Sequence, residues 1–331
     1  MLTIKNLSVE FQVEGRMLQA LDDVSFDVPD NRMVGLVGES GSGKSITTLS
    51  VMKLLPANGR ISNGSILWNG RNLIELSENQ LREVRGQQIG LIFQNPQSCL
   101  NPVFTIGNQL METIKLHHAT LSKTQVKEMA ISLLKKVNIP DPEQRLNQYP
   151  HQFSMGMCQR LMIALTIAMQ PQLLIADEPT ASLDVTIQAQ ILDLLEQLKQ
   201  NLAMSILLIS HDLSLIAQHC DDVVIMYLGK IIETGTTLSF FKNPLHPYTQ
   251  ALLSAIPVPD PSHPKKPAPL QSEPSSIMHI PCGCRFHPRC PKAFNRCKTE
   301  VPQLNQIPGQ SQRVACFLYE KNAKTTSTES V

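Results

Sequence analysis

The sequence predicts an α/β fold: a parallel core sheet with an antiparallel β subdomain, a helical subdomain and a small cysteine-rich C-terminal extension. Three observations predict it. "MVGLVG", "IGLIFQ", "QLLIADE" and "SILLISHD" are short apolar runs that each end in polar residues, the pattern of strands buried on both faces of a parallel sheet. The first 30 residues instead alternate apolar and polar positions, which fits half-buried antiparallel strands. Five of the eight cysteines, Cys282, Cys284, Cys290, Cys297 and Cys316, crowd into the C-terminal part of the chain.

Composition narrows the classes of function. With 29 Lys and Arg against 28 Asp and Glu, the 331 residues carry a formal charge of only +1, so no strong field marks the chain for a nucleic-acid backbone. The start "MLTIKNLSVEF" lacks the charged region, apolar stretch and cleavage site of a secretory signal. No apolar run approaches the roughly 18–20 residues that cross a bilayer. These features predict a cytosolic protein that meets a membrane only through a partner. A reducing compartment disfavours structural disulfides, which leaves metal binding or free thiols for the cysteine cluster.

The elements follow in order. Leu2, Ile4, Leu7, Val9 and Phe11 alternate in a first strand, and Leu21, Val24, Phe26 and Val28 in a second. Ser122 and Gln125 form a capping box, after which Val126, Met129, Ala130, Leu133 and Val137 recur at helical spacing until Pro140. A second amphipathic helix carries Ile187, Ile191, Leu194, Leu195, Leu198 and Leu202 on one face. "VVIMYLGKIIETG" reads as a hairpin turning near Gly229. Residues 1–256 form the first domain. Eight prolines between 257 and 281 mark a linker, residues 282–318 a cysteine-rich module, and 319–331 a polar, disordered tail.

"GESGSGKS" fits the P-loop pattern G-x-x-x-x-G-K-[ST], following an apolar strand and preceding a helical segment. It comprises Gly38, Glu39, Ser40, Gly41, Ser42, Gly43, Lys44 and Ser45, and Ile46 opens the helix. The glycines let backbone amides turn onto phosphate oxygens, Lys44 reaches the β- and γ-phosphates, and Ser45 offers a hydroxyl to Mg2+. In "LLIADEP", Asp177 ends a strand where it can hold the magnesium, and Glu178 beside it can activate a water against the γ-phosphate. A P-loop paired with these carboxylates points to ATP hydrolysis.

Gln94 after "IGLIF", "FSMGMCQR" before the carboxylate strand, "ASLD" after it and His211 in "LLISHD" appear in one order. That order resembles the nucleotide-binding domain of ATP-binding cassette (ABC) transporters, an ABC-type P-loop ATPase, over roughly residues 1–250. The resemblance implies that Phe11 stacks on adenine, the alternative being a core residue of its strand. It also implies that Gln94 contacts magnesium or water and senses the membrane subunit, that His211 bonds the γ-phosphate, and that Asp184 communicates across a dimer interface. In this family ATP lies between two such domains, each P-loop completed by the other's signature segment. Here Ser154 and Gly156 keep the signature, but Met155 stands where a first glycine is usual. Two unequal ATP sites in a heterodimer are the expectation that follows, the alternative being that a methionine amide serves as well.

"NPLHPYTQALLSAIP" followed by a proline-rich linker and "GCRFHPRC" resembles the C-terminal extension of dipeptide and oligopeptide importer ATPases, with relatives that move nickel or antimicrobial peptides. The resemblance implies a second homologous ATP-binding subunit, two membrane-spanning permease subunits and a substrate-binding protein as partners, with no nucleic acid. It implies a peripheral place on the cytoplasmic face of a bacterial inner membrane. Cys284, Cys290, Cys297 and Cys316 follow C-x5-C-x6-C-x18-C, unlike the close first pair of most zinc sites and unlike ferredoxin spacing. The ligand type leaves an iron–sulfur cluster, zinc and free thiols open, and the resemblance implies a [4Fe–4S] cluster on those four. Cys282 is a possible substitute ligand. Cys99, Cys158 and Cys220 read as buried or incidental thiols. Arg285, Arg289, Lys292, Arg296 and Lys298, set among the cysteines, read as a solvated basic face.

Overall fold

The computed structural model describes residues 1–256 and 278–320. The expected linker therefore lies almost wholly outside the described residues, as does most of the polar tail. The strands are β1 (Leu2–Val13), β2 (Arg16–Val28), β3 (Met33–Val37), β4 (Gly59–Trp68), β5 (Arg71–Asn72), β6 (Ile89–Ile92), β7 (Leu173–Asp177), β8 (Ser205–Ser210), β9 (Asp222–Tyr227), β10 (Lys230–Thr236), β11 (Asn305–Gln306) and β12 (Arg313–Val314). They make two sheets. An antiparallel sheet has the order β2-β1-β4-β5, and the main sheet the order β11-β12-β10-β9-β3-β8-β7-β6. Within the main sheet β9, β3, β8, β7 and β6 are parallel, while β10 joins β9 as an antiparallel hairpin.

The central strands read as unbroken apolar runs because each feeds two cores. Along β3, Met33 and Val37 enter one core while Val34 and Leu36 enter the other. β8 repeats the division with Ile206 and Leu208 against Leu207 and Ile209. The second core is closed by the antiparallel sheet, whose inward residues are Leu2, Ile4, Leu7, Val9, Leu21 and Val24. Their alternation in sequence is the alternation of one buried and one wet face. The first core is closed by helices. In helix Lys123–Lys136, Ser122 Oγ accepts the Gln125 N–H at 3.3 Å and Gln125 Oε1 accepts the Ser122 N–H at 2.9 Å, the expected capping box. Helix Val185–Leu202 buries Ile191, Leu194, Leu195 and Leu198 as its stripe predicts.

The β9–β10 hairpin turns at Leu228 and Gly229, both with positive φ, the backbone that a two-residue primed turn requires. On the other edge of β10 the cysteine-rich segment is stitched into the sheet, with Glu233 of β10 opposite Val314 of β12. The segment thus shares the main sheet. Buried Glu233 ties the junction: its carboxylate accepts the N–H groups of Leu245 (2.9 Å) and His246 (2.8 Å) and Nε2 of Gln312 (3.3 Å). His246 is buried in turn. Burial pushes its imidazole down to about 3, so it stays neutral, and Nδ1 accepts the Tyr248 N–H at 3.0 Å. Replacing Glu233 with Ala would leave those buried donors without an acceptor. Glu233→Ala should lower stability by about 3 kcal/mol, read as a fall in the denaturant midpoint.

Candidate nucleotide-binding site

β3 delivers the chain into the Gly38–Ser45 loop, which runs into helix Lys44–Val51. The loop borders a cleft of about 620 Å³, open at the C-terminal end of the parallel strands, where α/β sheets place their ligands. Its lining comprises Glu39, Ser40, Gly41, Gly43, Lys44, Ser45 and Ile46 from the loop and helix, with Gln94, Glu178 and His211 from three other strand ends. Residues 84 and 117 positions apart in sequence from one another are brought together because β6, β7 and β8 are neighbours in the sheet.

The loop holds its shape by internal bonds. Lys44 Nζ donates to the carbonyls of Gly38 (2.8 Å) and Glu39 (3.1 Å), and stands 3.8 Å from Glu178 Oε1. Burial lowers the Lys44 pKa, and the charges of Glu178, Asp177 and Glu39 oppose that shift. Gly43 has φ 107, a left-handed value, and a Cβ there would lie 2.6 Å from Leu21 Cδ2. Glycine is required at that point on both counts.

The carboxylates divide their work by position. Asp177 ends β7, where burial raises its pKa despite the nearby Ser45 hydroxyl. Its Oδ1 is buried with no hydrogen-bond partner. An orphaned carboxylate oxygen beside a serine hydroxyl suits a hard cation, so Asp177 and Ser45 fit magnesium, with phosphate oxygens and water as the remaining ligands. Glu178 sits in the left-handed region at φ 47, pinned by its N–H to Ile209 O at 3.0 Å. A non-glycine residue held there is the kind of local strain found at working sites. Its Oε2 accepts Gln94 Nε2 at 2.9 Å, and its Oε1 lies 3.6 Å from His211 Nδ1. Gln94 and His211 thus flank one carboxylate at the mouth of the cleft.

Six expected nucleotide contacts lie outside this lining: Gly38 and Ser42 within the loop itself, and Phe11, Ser154, Gly156 and Asp184. Phe11 is half-buried on β1 and packs over Gly59. Ser154 caps helix Met155–Ile167, its Oγ accepting the Met157 N–H at 3.3 Å. Asp184 caps helix Val185–Leu202 by accepting the Ile187 N–H at 3.0 Å, and a Cβ on Gly156 would meet Ile187 Cγ2 at 2.8 Å. The signature and the Asp184 loop therefore touch each other, apart from this chain's own P-loop.

Cys284, Cys290, Cys297 and Cys316 line one enclosed cavity with His246, Phe286 and His287. None of the four cysteines is paired in a disulfide. Burial pushes Cys284 and Cys316 up to about 11 and raises Cys290. Among the described residues no group of three or more His, Cys, Asp or Glu side chains stands close enough to hold a single metal ion. Cys282 is exposed and lies outside the cavity, Cys158 and Cys220 are buried, and Cys99 is exposed.

The expected solvated basic face is corrected at two positions. Arg285 and Arg289 are buried. Arg285 donates to Leu228 O and to Asp22. Arg289 makes a two-pronged pair with Glu39 of the P-loop, Nη1 to Oε2 at 2.9 Å and Nη2 to Oε1 at 3.2 Å. Sequence reasoning missed both, together with Tyr248, whose Oη accepts the Glu39 N–H at 3.1 Å. A basic residue carries no sequence signal for an acidic partner 250 positions away.

The fold and the cleft together define a P-loop ATPase of the ATP-binding cassette type. The ABC transporter pattern matches residues 21–181, and the oligopeptide/dipeptide transporter C-terminal region matches residues 232–297. The dipeptide transport ATP-binding protein DppD of Escherichia coli is 45% identical over 93% of each chain. The oligopeptide transport ATP-binding protein AppD of Bacillus subtilis is 44% identical over 99% of each chain. The chain belongs to the ABC transporter ATPases, in the branch that carries the oligopeptide/dipeptide C-terminal region. Among solved structures, the ADP- and phosphate-bound cassette MJ0796 shares the fold with a TM-score of 0.64 at 23% identity, covering 72% of this chain and 99% of that one. CbiO1 of Clostridium perfringens gives 0.63 at 24% identity, covering 73% and 90%.

Gly43→Ala forces a side chain into a left-handed backbone against Leu21. At a cost of about 1–2 kcal/mol, it should weaken binding of a fluorescent ATP analogue roughly tenfold.

Proposed function

We propose that the chain is the ATP-hydrolysing motor subunit of a bacterial peptide importer, peripheral on the cytoplasmic face of the inner membrane. The observation that carries the reading is the convergence of Lys44, Ser45, Asp177, Glu178, Gln94 and His211 on one cleft, in a chain bearing the peptide-transporter C-terminal region. The transport names of the relatives support peptides as cargo. Among the described residues no helix is long and apolar enough to cross a membrane, and the transport names of the relatives support permease partners. A groove of about 450 Å³ where Phe104, Met111 and Val126 stand among Glu112, Lys115, Lys123 and Lys127 supports a permease docking place on these helices.

In this reading Lys44 leaves the Gly38 and Glu39 carbonyls for the β- and γ-phosphate oxygens. Ser45 and Asp177 hold magnesium, which when bound neutralises phosphate charge. Glu178 takes a proton from the attacking water, Gln94 keeps that carboxylate aimed, and His211 bonds the γ-phosphate. Ser154, Gly156 and Asp184 face a second, homologous ATP-binding subunit and complete its site, with Met155 making the two sites unequal. A substrate-binding protein delivers cargo to the assembled complex.

The four cysteines that line one cavity are the ligand type and number that a [4Fe–4S] cluster takes. Anaerobic purification should yield iron and sulfide at roughly four per chain with broad absorption near 400 nm. Stoichiometric zinc without sulfide would overturn this assignment.

Glu178→Gln in the assembled complex should reduce kcat by about 10² to 10⁴ while nucleotide binding persists. Uptake of a labelled peptide should fall with it. Near-normal hydrolysis in a mixed complex would rule out the unequal-site arrangement.

A further inference from the structure

The cysteine-rich segment grips the P-loop from two sides, and both grips come from the loop between Cys284 and Cys290. Arg289 pairs with both oxygens of Glu39, is 4% exposed, and also donates to Tyr227 Oη at 3.3 Å. Arg285 holds Leu228 O at the tip of the β9–β10 hairpin. The next residue, Gly229, donates its N–H to Ser42 O of the P-loop at 2.8 Å. Phe286, between the two arginines, packs edge-on against Tyr227 and Tyr248, with ring centroids 5.3 and 5.4 Å apart. Tyr248 in turn accepts the Glu39 N–H. Phe286 lines the cavity of thiols, and the two rings it packs against, Tyr227 and Tyr248, are fully buried.

Charge gives this contact a consequence for the nucleotide. Glu39 lines the ATP cleft, and its carboxylate acts on the Lys44 ammonium through space. An unpaired carboxylate at that position would repel a polyphosphate bound on the same loop. Arg289 neutralises it with a partly buried two-pronged pair, a strong geometry for such a contact.

We propose that the Cys284–Cys290 loop sets the nucleotide affinity of the P-loop, with Arg289 as the positioning residue that masks Glu39 and the conformation of the cysteine cavity as the input. The proposal rests on the P-loop being the ATP site and is independent of what the cysteines hold. Arg289 touches no reacting atom. It acts through Glu39.

The test is a titration of the full-length chain with a fluorescent ATP analogue, with KM and kcat measured in the assembled transporter. Arg289→Met should weaken nucleotide binding roughly tenfold, the effect of uncovering one charge in a partly buried site, and should raise KM more than it lowers kcat. Adding Glu39→Gln to Arg289→Met should recover most of the lost affinity, because the carboxylate that needed masking is gone. A packing role for Arg289 would not be rescued in this way. Tyr248→Phe, which removes only the hydroxyl, should weaken binding in the same direction and serves as the second probe if Arg289→Met folds poorly. Hydrogen exchange across residues 282–297 should slow when nucleotide is added to the native chain and respond less in Arg289→Met. Wild-type affinity and KM in a folded Arg289→Met, or a double variant no better than Arg289→Met, would overturn the proposal. Lys44→Ala separates the two readings: if it bound nucleotide normally, the assignment of the site itself would fail first.

Discussion

The rest of the structure depends on holding one loop open. A P-loop turns backbone amides toward phosphate, and amides left unpaired are costly to a folded chain. The loop manages this by pairing its carbonyls and side chains with its own lysine and with two anchors from outside. Gly38 and Glu39 carbonyls take the Lys44 ammonium, Ser42 O takes the Gly229 N–H, and the Glu39 side chain takes Arg289. Each partner comes from a different layer: the helix after the loop, the hairpin beside β3, and the cysteine-rich segment across the sheet edge.

The two cores explain why these anchors meet. A parallel strand apolar on both faces needs a cover on each side, and the antiparallel sheet and the helices provide them. With β3 fixed between β8 and β9, the ends of β6, β7 and β8 fall beside the P-loop, carrying Gln94, Asp177, Glu178 and His211 to it. The strained backbone of Glu178 is affordable because Ile209 O of the adjacent strand holds its N–H. The candidate site residues sit at or just past strand ends instead of on long loops.

The C-terminal segment changes the usual view of an appendage behind a linker. By adding β12 to β10 and two buried arginines to the P-loop's flank, it belongs to the same mechanical unit as the nucleotide site. Glu233 makes the joint dependent on one buried carboxylate with donors from β10's neighbours on two sides. A change at the thiol cavity is therefore two side chains away from the phosphate loop.

The sequence by itself determined the elements whose cause is local. The capping box at Ser122, the stripe of the Val185–Leu202 helix, the alternation of β1 and β2, the turn at Gly229 and the P-loop glycines all express short-range sterics or a periodicity of two or 3.6 residues. Asp177 and Glu178 were legible because they end a buried run. Only the tertiary structure decided that Arg285 and Arg289 are buried partners of Asp22, Leu228 and Glu39, that Tyr248 takes the Glu39 amide, and that β12 completes the edge of the main sheet. Those contacts join residues from 57 to 263 positions apart, or, for β12, a strand of two residues with no period to read. Charge and burial at such positions are properties of the packed neighbourhood, so no local pattern in the chain records them.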